Sequence, residues 1–418
     1  MRSGYKNMRC GLIGEHLGHS FSPLIHSELA DYSYELCELP REELGSFMKS
    51  GQFDAFNVTI PYKKDVIPYL DHISSEALAI GAVNTVVRDT DGKLHGYNTD
   101  YFGFSYMIEL SEIDMQGKKA IVLGAGGASL TVCAVLRDMG VSKLTVISRK
   151  DNTPENLAQY SDTEIIVNAT PVGMYPNNGA SPVSLDIFPN CEAVFDLIYR
   201  PALTQLLFDA EKRGIKYVNG LPMLVAQAAK AFEFFTGDDC ENGCIKAITS
   251  LIAQTTKNIV LVGMPGCGKS TIGAIVARKL DKVFIDADVE FEKMHGISPA
   301  QCIVTMGEEA FRELEHKTVS ELGKRSGCVI ATGGGVVTRE ANYLPLHQNA
   351  TIFFIERDIN ELACDGRPLS AKNSLCDLYD KRIDAYRRFA DLTVYNKETP
   401  EITANEIISE FKNIDKEL

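Results

Sequence analysis

The stretch Asn258–Thr271, NIVLVGMPGCGKST, decides the fold of the second half of the chain. Five residues of strand character end in Gly263-Met-Pro-Gly-Cys-Gly268-Lys269-Ser270-Thr271, which fits GxxxxGK[ST], and the helix-like STIGAIVARKL begins at Ser270. Strand, glycine-rich turn and helix start, in that order, are the context a P-loop requires. Glycines let backbone N–H groups close round phosphate oxygens at a helix N-terminus. Lys269 adds a fixed positive charge, and the Ser270 hydroxyl stands where a Mg²⁺ ion is ligated. Gly263, Met264, Pro265, Gly266, Cys267, Gly268, Lys269, Ser270 and Thr271 are therefore expected to bind ATP. A glycine-rich turn with an incidental lysine would leave the flanking strand and helix unexplained.

Outward from this motif the same rhythm continues. CGLIG, DAFNVTI, KAIVLGAG, KLTVIS, EIIVNAT, AVFDLIY, NIVLVG, KVFIDAD, CVIATGG and TIFFIE alternate with helical-period stretches, the signature of α/β folds with parallel sheets covered by helices. At 418 residues the chain is too long for one ordinary core. The expected division is an α/β substrate lobe over 1–105, a Rossmann lobe over 106–245, a linker over 246–257 and a P-loop kinase domain with a parallel sheet over 258–418. No repeat or low-complexity block is visible. A hydrophobic share of 45% without a bilayer-length apolar run argues against a membrane protein. A net charge of −14 disfavours a nucleic-acid partner and leaves small anionic ligands at local basic positions. The start MRSGYKNMRCGLIG lacks the features of a secretory signal, so a cytoplasmic location is expected. The 11 cysteines include no CxxC pair, and the closest, Cys240 and Cys244, bring no zinc partners, so buried, reduced thiols are expected.

Downstream of the P-loop, Phe284-Ile-Asp286-Ala-Asp288 closes a strand with two carboxylates two residues apart, able to serve metal and substrate separately; an exposed acidic loop is the plainer alternative. Phe311-Arg312-Glu313-Leu314-Glu315, Thr332-Gly333-Gly334-Gly335, Arg367-Pro368-Leu369 and Arg382-x3-Tyr386-x3-Ala390-Asp391 follow. Taken singly, Arg312 and Arg382 read as ordinary ion-pair residues. In this order, the set resembles the shikimate kinase family over nearly the whole lobe. That resemblance implies Mg²⁺ held by Ser270 and Asp286, shikimate bound by Asp288, Arg312, Gly334, Gly335 and Arg382, and Glu315 orienting Arg312. It also places Arg367 in a lid over the phosphates, with Lys269, Asp288 and Arg367 serving catalysis. The chemistry agrees: two guanidinium groups suit a carboxylate, Asp288 suits a hydroxyl, and glycines let backbone approach a ring.

In the first half, Ser20-Phe-Ser22-Pro23-Leu-Ile-His26 reads as a loop entering a helix, with Ser22 as N-cap and Pro23 at the first helical position. Lys63 follows a proline-fixed turn, and a lone lysine is normally a solvated one. Together HSFSP, NVTIPYK, AVNT and GYNTDYFG resemble the shikimate dehydrogenase family in order and spacing. Lys119-Ala-Ile-Val-Leu-Gly124-Ala125-Gly126-Gly127-Ala128-Ser129 supplies a strand, a glycine turn and a helix start, with Ser129 at the fingerprint's third glycine. After the next strand Ser148-Arg149-Lys150 stands where an NAD enzyme offers an acid to the ribose, so a 2′-phosphate and hence NADP(H) is expected. NATPVGM, DLIYRP and MLVAQAA extend the resemblance over residues 8 to about 237. It implies substrate held by Ser20, Ser22, Thr59, Lys63, Asn84, Asp100, Tyr199 and Gln227, and Lys63 with Asp100 as the catalytic pair. It implies cofactor contacts at Gly124, Ala125, Gly126, Gly127, Ala128, Ser148, Arg149, Lys150, Thr170, Gly220 and Met223. The half looks short for that family, and Gly220-Leu-Pro-Met223 departs from its usual approach to Met-Leu-Val.

The two resemblances together imply a bifunctional enzyme that reduces 3-dehydroshikimate with NADPH and phosphorylates the shikimate formed with ATP and Mg²⁺. The alternatives are a half turned binding or regulatory module, or a first half acting on quinate. Partners are expected to be small molecules, with neither nucleic acid nor membrane involved, in a monomer or homodimer.

Overall fold

The computed structural model describes residues 4–18, 20–362 and 370–414. The chain divides into two compact units, one of Met1–Met174, Ala180–Tyr199 and Thr204–Thr249, the other of Tyr175–Gly179, Arg200–Leu203 and Ser250–Leu418.

The first unit contains two sheets. Strands β1 (Arg9–Gly14), β2 (Ser33–Glu38), β3 (Ala55–Val58), β4 (His72–Ile73), β5 (Thr85–Arg88) and β6 (Leu94–Tyr97) form one, in the order β2-β1-β3-β5-β6-β4. β1 lies parallel to β2 and β3, whereas β5 runs antiparallel to both β3 and β6. This mixed sheet corrects the expectation of parallel sheets throughout. The cause is turn chemistry: the Asp89 carboxylate accepts the N–H groups of Asp91 and Lys93, both at 2.9 Å, and Gly92 adopts φ +81°, closing β5 and β6 as a hairpin.

The second sheet is wholly parallel. β7 (Lys119–Leu123), β8 (Lys143–Ile147), β9 (Ile165–Asn168), β10 (Ala193–Asp196) and β11 (Lys216–Val218) stand in the order β11-β10-β9-β7-β8. β9 and β10 are buried along their whole length, as central strands covered on both faces must be. The strand order reverses between β7 and β9, and such a switch point opens a crevice at the carboxyl ends of the strands. The helices Asp100–Ser111 and Leu221–Thr236 approach closely through Gly103, where a Cβ would stand 2.7 Å from the Met223 carbonyl oxygen and 3.0 Å from Gln227 Cβ. That approach brings Asp100 and Gln227 to one place.

In the second unit β12 (Asn258–Val262), β13 (Val283–Asp286), β14 (Cys328–Ala331), β15 (Ala350–Glu356) and β16 (Leu392–Tyr395) form a parallel sheet in the order β13-β14-β12-β15-β16. Val260, Phe353 and Ile330 on its central strands are buried in one core with Ile272, Val276 and Phe389 of the covering helices.

Cys240 and Cys244 form a disulfide, against the expectation of reduced thiols throughout; the other described cysteines are free, six of them buried. The helix Cys244–Thr256 starts at the second of the pair, so a short turn folds the two sulfurs together. Among the described residues no helix is long and apolar enough to cross a membrane.

Candidate active sites

Lys63 follows β3, and its Nζ meets the carboxylate of Asp100, the first residue of the helix Asp100–Ser111. Both side chains are largely buried, at 15% and 9% exposed. A carboxylate at a helix N-terminus is favoured by the helix dipole. Asp100 Oδ1 also accepts a 2.9 Å bond from Asn84 Nδ2, while Asn84 Oδ1 accepts the Thr99 N–H at 2.7 Å. Behind them, Asn57 Nδ2 donates to Thr85 Oγ1 at 3.1 Å, and the Tyr34 hydroxyl donates to Asn57 Oδ1 at 2.7 Å. Thr85 Oγ1 closes the network onto Asn84 Oδ1 at 3.2 Å. Buried polar groups paired this fully hold one geometry, so Asp100 is fixed before any ligand arrives.

Gln227 joins the group through Thr99 Oγ1, at 3.4 Å, and Thr59 lies half-buried at the end of β3, its N–H on the Ile13 carbonyl at 2.9 Å. Ser22 is the first residue of the helix Ser22–Leu29, not its cap. Phe21 holds the cap position without a side-chain bond, and Ser20 Oγ accepts the Ser22 N–H at 3.2 Å. The capping expectation for Ser22 thus fails; its hydroxyl instead accepts from Ser20 Oγ at 3.1 Å. Burial pushes the neighbouring Tyr34 phenol up, and a hydrogen bond with Ser22 pulls it back. Tyr199 packs against Phe21 with ring centroids 5.5 Å apart, which sets it beside the two serines.

The glycine turn after β7 faces this cleft. Gly124 has φ +104°, and a Cβ there would lie 3.0 Å from both the Ala169 oxygen and Thr170 Cγ2, so the turns after β7 and β9 touch across the switch point. Asn168 Oδ1 holds Thr170 by its N–H at 3.0 Å and its hydroxyl at 2.7 Å. Ala125, Gly126, Gly127 and Ala128 run into the helix Gly127–Asp138, where Ser129 is buried and bonded to Cys133. A Cβ on Gly127 would stand 3.9 Å from Lys63 Cδ. The glycine turn therefore lies beside the Lys63 side chain. Arg149 and Lys150 are exposed after β8, and Ser148 Oγ bonds Asp151 at 2.5 Å. Gly220 precedes the helix carrying Met223, and a Cβ there would lie 2.1 Å from the Leu197 carbonyl oxygen. Only glycine fits, which accounts for Gly220 within its unusual surroundings.

In the second unit Gly263, Gly266 and Gly268 have φ of +150°, +82° and +102°, and Met264, Pro265 and Cys267 complete the loop before the helix Lys269–Leu280, which takes in Ser270 and Thr271. Lys269 Nζ donates to the carbonyls of Gly263 and Met264, both at 2.9 Å. Ser270 Oγ bonds Asp286 Oδ2 at 2.7 Å, and Asp286 Oδ1 accepts the Asp288 N–H at 3.0 Å, capping the helix Ala287–His295. Burial and the nearby Asp286 push the Asp288 carboxyl up, with Lys269 opposing. Arg312 Nη1 pairs with Glu315 at 2.6 Å and its Nη2 reaches Glu308 at 3.3 Å. A Cβ on Gly335 would stand 2.2 Å from the Arg312 guanidinium, and one on Gly334 2.7 Å from Pro265. Arg382 Nη1 donates to the Gly334 carbonyl at 3.0 Å. P-loop, glycine loop and both arginines thus converge, with Asp288 Oδ1 3.1 Å from where a Gly333 Cβ would be. Arg367 lies outside the described residues.

A family model described as shikimate dehydrogenase substrate binding domain matches residues 12–86, and one described as shikimate kinase matches residues 265–412. The chain is 39% identical over 268 residues to a shikimate dehydrogenase (NADP(+)) of Clostridium beijerinckii, covering 98% of that protein and 59% of this chain. The chain belongs to the shikimate dehydrogenase family. Its second unit carries a shikimate kinase domain, so one chain joins an oxidoreductase to a phosphotransferase. The shikimate 5-dehydrogenase of Thermus thermophilus, solved in complex with NADP(H) and shikimate, aligns at a TM-score of 0.53 with 34% identity over 58% of this chain and 98% of its own. A chorismate mutase/shikimate 5-dehydrogenase fusion protein from Clostridium acetobutylicum aligns at 0.56 with 35% identity, over 59% and 97%. The dehydrogenase half is therefore not short: it spans nearly the whole length of these relatives.

Reasoning from sequence passes over several residues that hold these sites. In the shikimate dehydrogenase unit they are Tyr34, Asn57, Thr85 and Thr99. In the shikimate kinase domain Asn396 is one: its Nδ2 donates to the Cys267 carbonyl at 2.9 Å and lies as close to where a Gly268 Cβ would be. Asn57 and Asn396 are 5% and 4% exposed, and a polar side chain set within an apolar strand, or just after one, is the signal that could have found them.

Proposed function

We propose that the first unit reduces 3-dehydroshikimate to shikimate with NADPH and that the second phosphorylates shikimate at its 3-hydroxyl with ATP and Mg²⁺. The observation that carries this reading is the pairing of Lys63 with Asp100 beside the glycine turn that opens the helix Gly127–Asp138, in a chain whose second unit sets two arginines and Asp288 around a P-loop. The product of the first chemistry is the acceptor of the second.

Bound NADPH supplies the hydride to the ketone carbon. Lys63 gives a proton to the ketone oxygen as its charge develops, so ketone, hydride and proton add up to the alcohol. Asp100 holds the ammonium in reach and accepts a bond from an adjacent substrate hydroxyl, and Asn84 keeps Asp100 from turning away. Ser20, Ser22, Thr59, Tyr199 and Gln227 supply the remaining polar contacts. Arg149 and Lys150 meet the 2′-phosphate.

In the kinase domain Arg312 and Arg382 take the acceptor carboxylate, Gly334 and Gly335 let the backbone approach the ring, and Asp288 receives the proton of the attacking hydroxyl. The oxygens of Ser270 and Asp286, already 2.7 Å apart, fit a hard cation that prefers oxygen ligands. When bound, Mg²⁺ neutralises phosphate charge. Lys269 leaves its two carbonyl partners for the phosphates. The test is a coupled assay of the purified chain with 3-dehydroshikimate, NADPH and Mg-ATP. NADPH oxidation together with shikimate 3-phosphate is expected, and absence of either product sinks the bifunctional reading.

A further inference from the structure

Tyr386 is fully buried on the helix Ser370–Phe389, its ring stacked on Phe354 of β15 with centroids 5.0 Å apart and planes 7° from parallel. Its hydroxyl donates to the Gly334 carbonyl and lies 3.8 Å from Met264 Sδ in the P-loop. Arg382, one turn earlier on the same helix face, donates to the same carbonyl at 3.0 Å. The opposite side of Gly334 is filled by Pro265 of the P-loop. Burial pushes the phenol well up, so Tyr386 stays a donor at any working pH.

A carbonyl oxygen has two lone pairs and can accept twice, and here one helix face supplies two donors to it. The peptide that follows is planar and trans, so fixing the Gly334 C=O points the Gly335 N–H to the opposite side. Sharing the carbonyl also leaves most of the Arg382 fork free for a carboxylate, since a guanidinium carries five N–H groups. We propose that Tyr386 is a positioning residue for the phosphoryl-acceptor site, holding the Gly334–Gly335 peptide and Arg382 in register with the P-loop. This rests on the reading that the acceptor is shikimate.

Tyr386→Phe removes the donor and keeps the stacked ring. The KM for shikimate is expected to rise about two- to tenfold, the range set by loss of one neutral hydrogen bond, with the KM for ATP unchanged. NADPH oxidation by the same preparation is expected to stay at the wild-type rate, which verifies the enzyme concentration, while the unchanged KM for ATP verifies that the kinase domain is folded. An unchanged shikimate KM, or equal rises in both KM values, overturns the positioning role while wild-type turnover of shikimate leaves the functional reading intact. A wild-type chain that neither phosphorylates nor binds shikimate overturns both.

Discussion

The charged groups of the dehydrogenase cleft are bonded chiefly to one another, whereas those of the kinase site are bonded to the surrounding protein. Lys63 meets Asp100, Asp100 meets Asn84, and Asn84 is held by Thr99 and Thr85. Lys269 instead lies on two P-loop carbonyls, Arg312 on Glu315 and Arg382 on the Gly334 carbonyl. The first arrangement is preorganised, so its geometry costs nothing at the moment of reaction. On the proposed reading Lys269 must exchange its two carbonyl acceptors for phosphate oxygens, and part of the binding energy goes into that exchange, whereas Arg382 keeps the Gly334 carbonyl and offers its remaining N–H groups.

The widest break in this comparison comes from removing the two lysines. Lys63→Ala is expected to cut NADPH oxidation about 10³-fold, within the range for a lost proton donor, and to leave phosphorylation of added shikimate within about twofold. Lys269→Ala should do the reverse, with a loss of about 10²- to 10³-fold, as for a missing charge-stabilising group. Parallel loss of both activities in either variant contradicts independent sites. Steady-state rates with each substrate separately decide it.

Arg149→Glu sharpens the cofactor side. It replaces a partner of the 2′-phosphate by a like charge, so the KM for NADPH should rise about 10- to 100-fold, the effect of losing a charge-assisted bond and adding repulsion. The KM for NADH should change less than about threefold. Equal effects on the two cofactors would refute the phosphate contact.

Gly335→Ala probes the kinase side more gently. The new methyl would meet the far end of the flexible Arg312 rather than backbone, so displacement of the guanidinium is expected, not unfolding. The shikimate KM should rise about tenfold, equivalent to one weakened charge-assisted bond, with thermal stability unchanged. A lower melting temperature at unchanged KM would show that Arg312 has no ligand role.

What can be read in advance follows from locality. The P-loop spells its conformation in nine consecutive residues, and Asp100 announces itself at a helix start behind GYNT. What escapes depends on neighbours distant in the chain. Tyr34 and Asn57 meet only because β2 and β3 flank β1, and β2 is mostly exposed, so SYELCE lacks the apolar run that marks a strand. Ser22 reads as a cap because helix-start composition does not tell that the helix begins one residue earlier, with Phe21 at the cap position. The Cys240–Cys244 pairing requires the turn that precedes its helix, and spacing alone speaks only to a zinc site.

The smallest effect concerns Asp196, which anchors the cofactor side without touching the proposed ligands. Its buried carboxylate accepts from Asn168 at 3.0 Å, Thr204 at 2.7 Å and the Ile198 N–H at 3.1 Å, and Asn168 in turn holds Thr170. Burial pushes its carboxyl up to about 7 from an ordinary 3.8, despite these three donors. A raised folded value means that the native state binds the proton more tightly than the unfolded chain does. The resulting stability is complete below about pH 4 and is lost as pH rises to about 7, at roughly 1.4 kcal/mol for each pH unit crossed. Asp196→Asn removes the titration and keeps the shape, its amide donating to Thr204 Oγ1. Compared with wild type, the melting temperature of the dehydrogenase unit should therefore move upward in the variant as pH goes from 5 to 7, by a few degrees, and then level off. A difference that is flat or shrinks over that interval would show that the three donors, not burial, govern this carboxylate. The turn after β9 would then rest on a charged buttress instead of a neutral one.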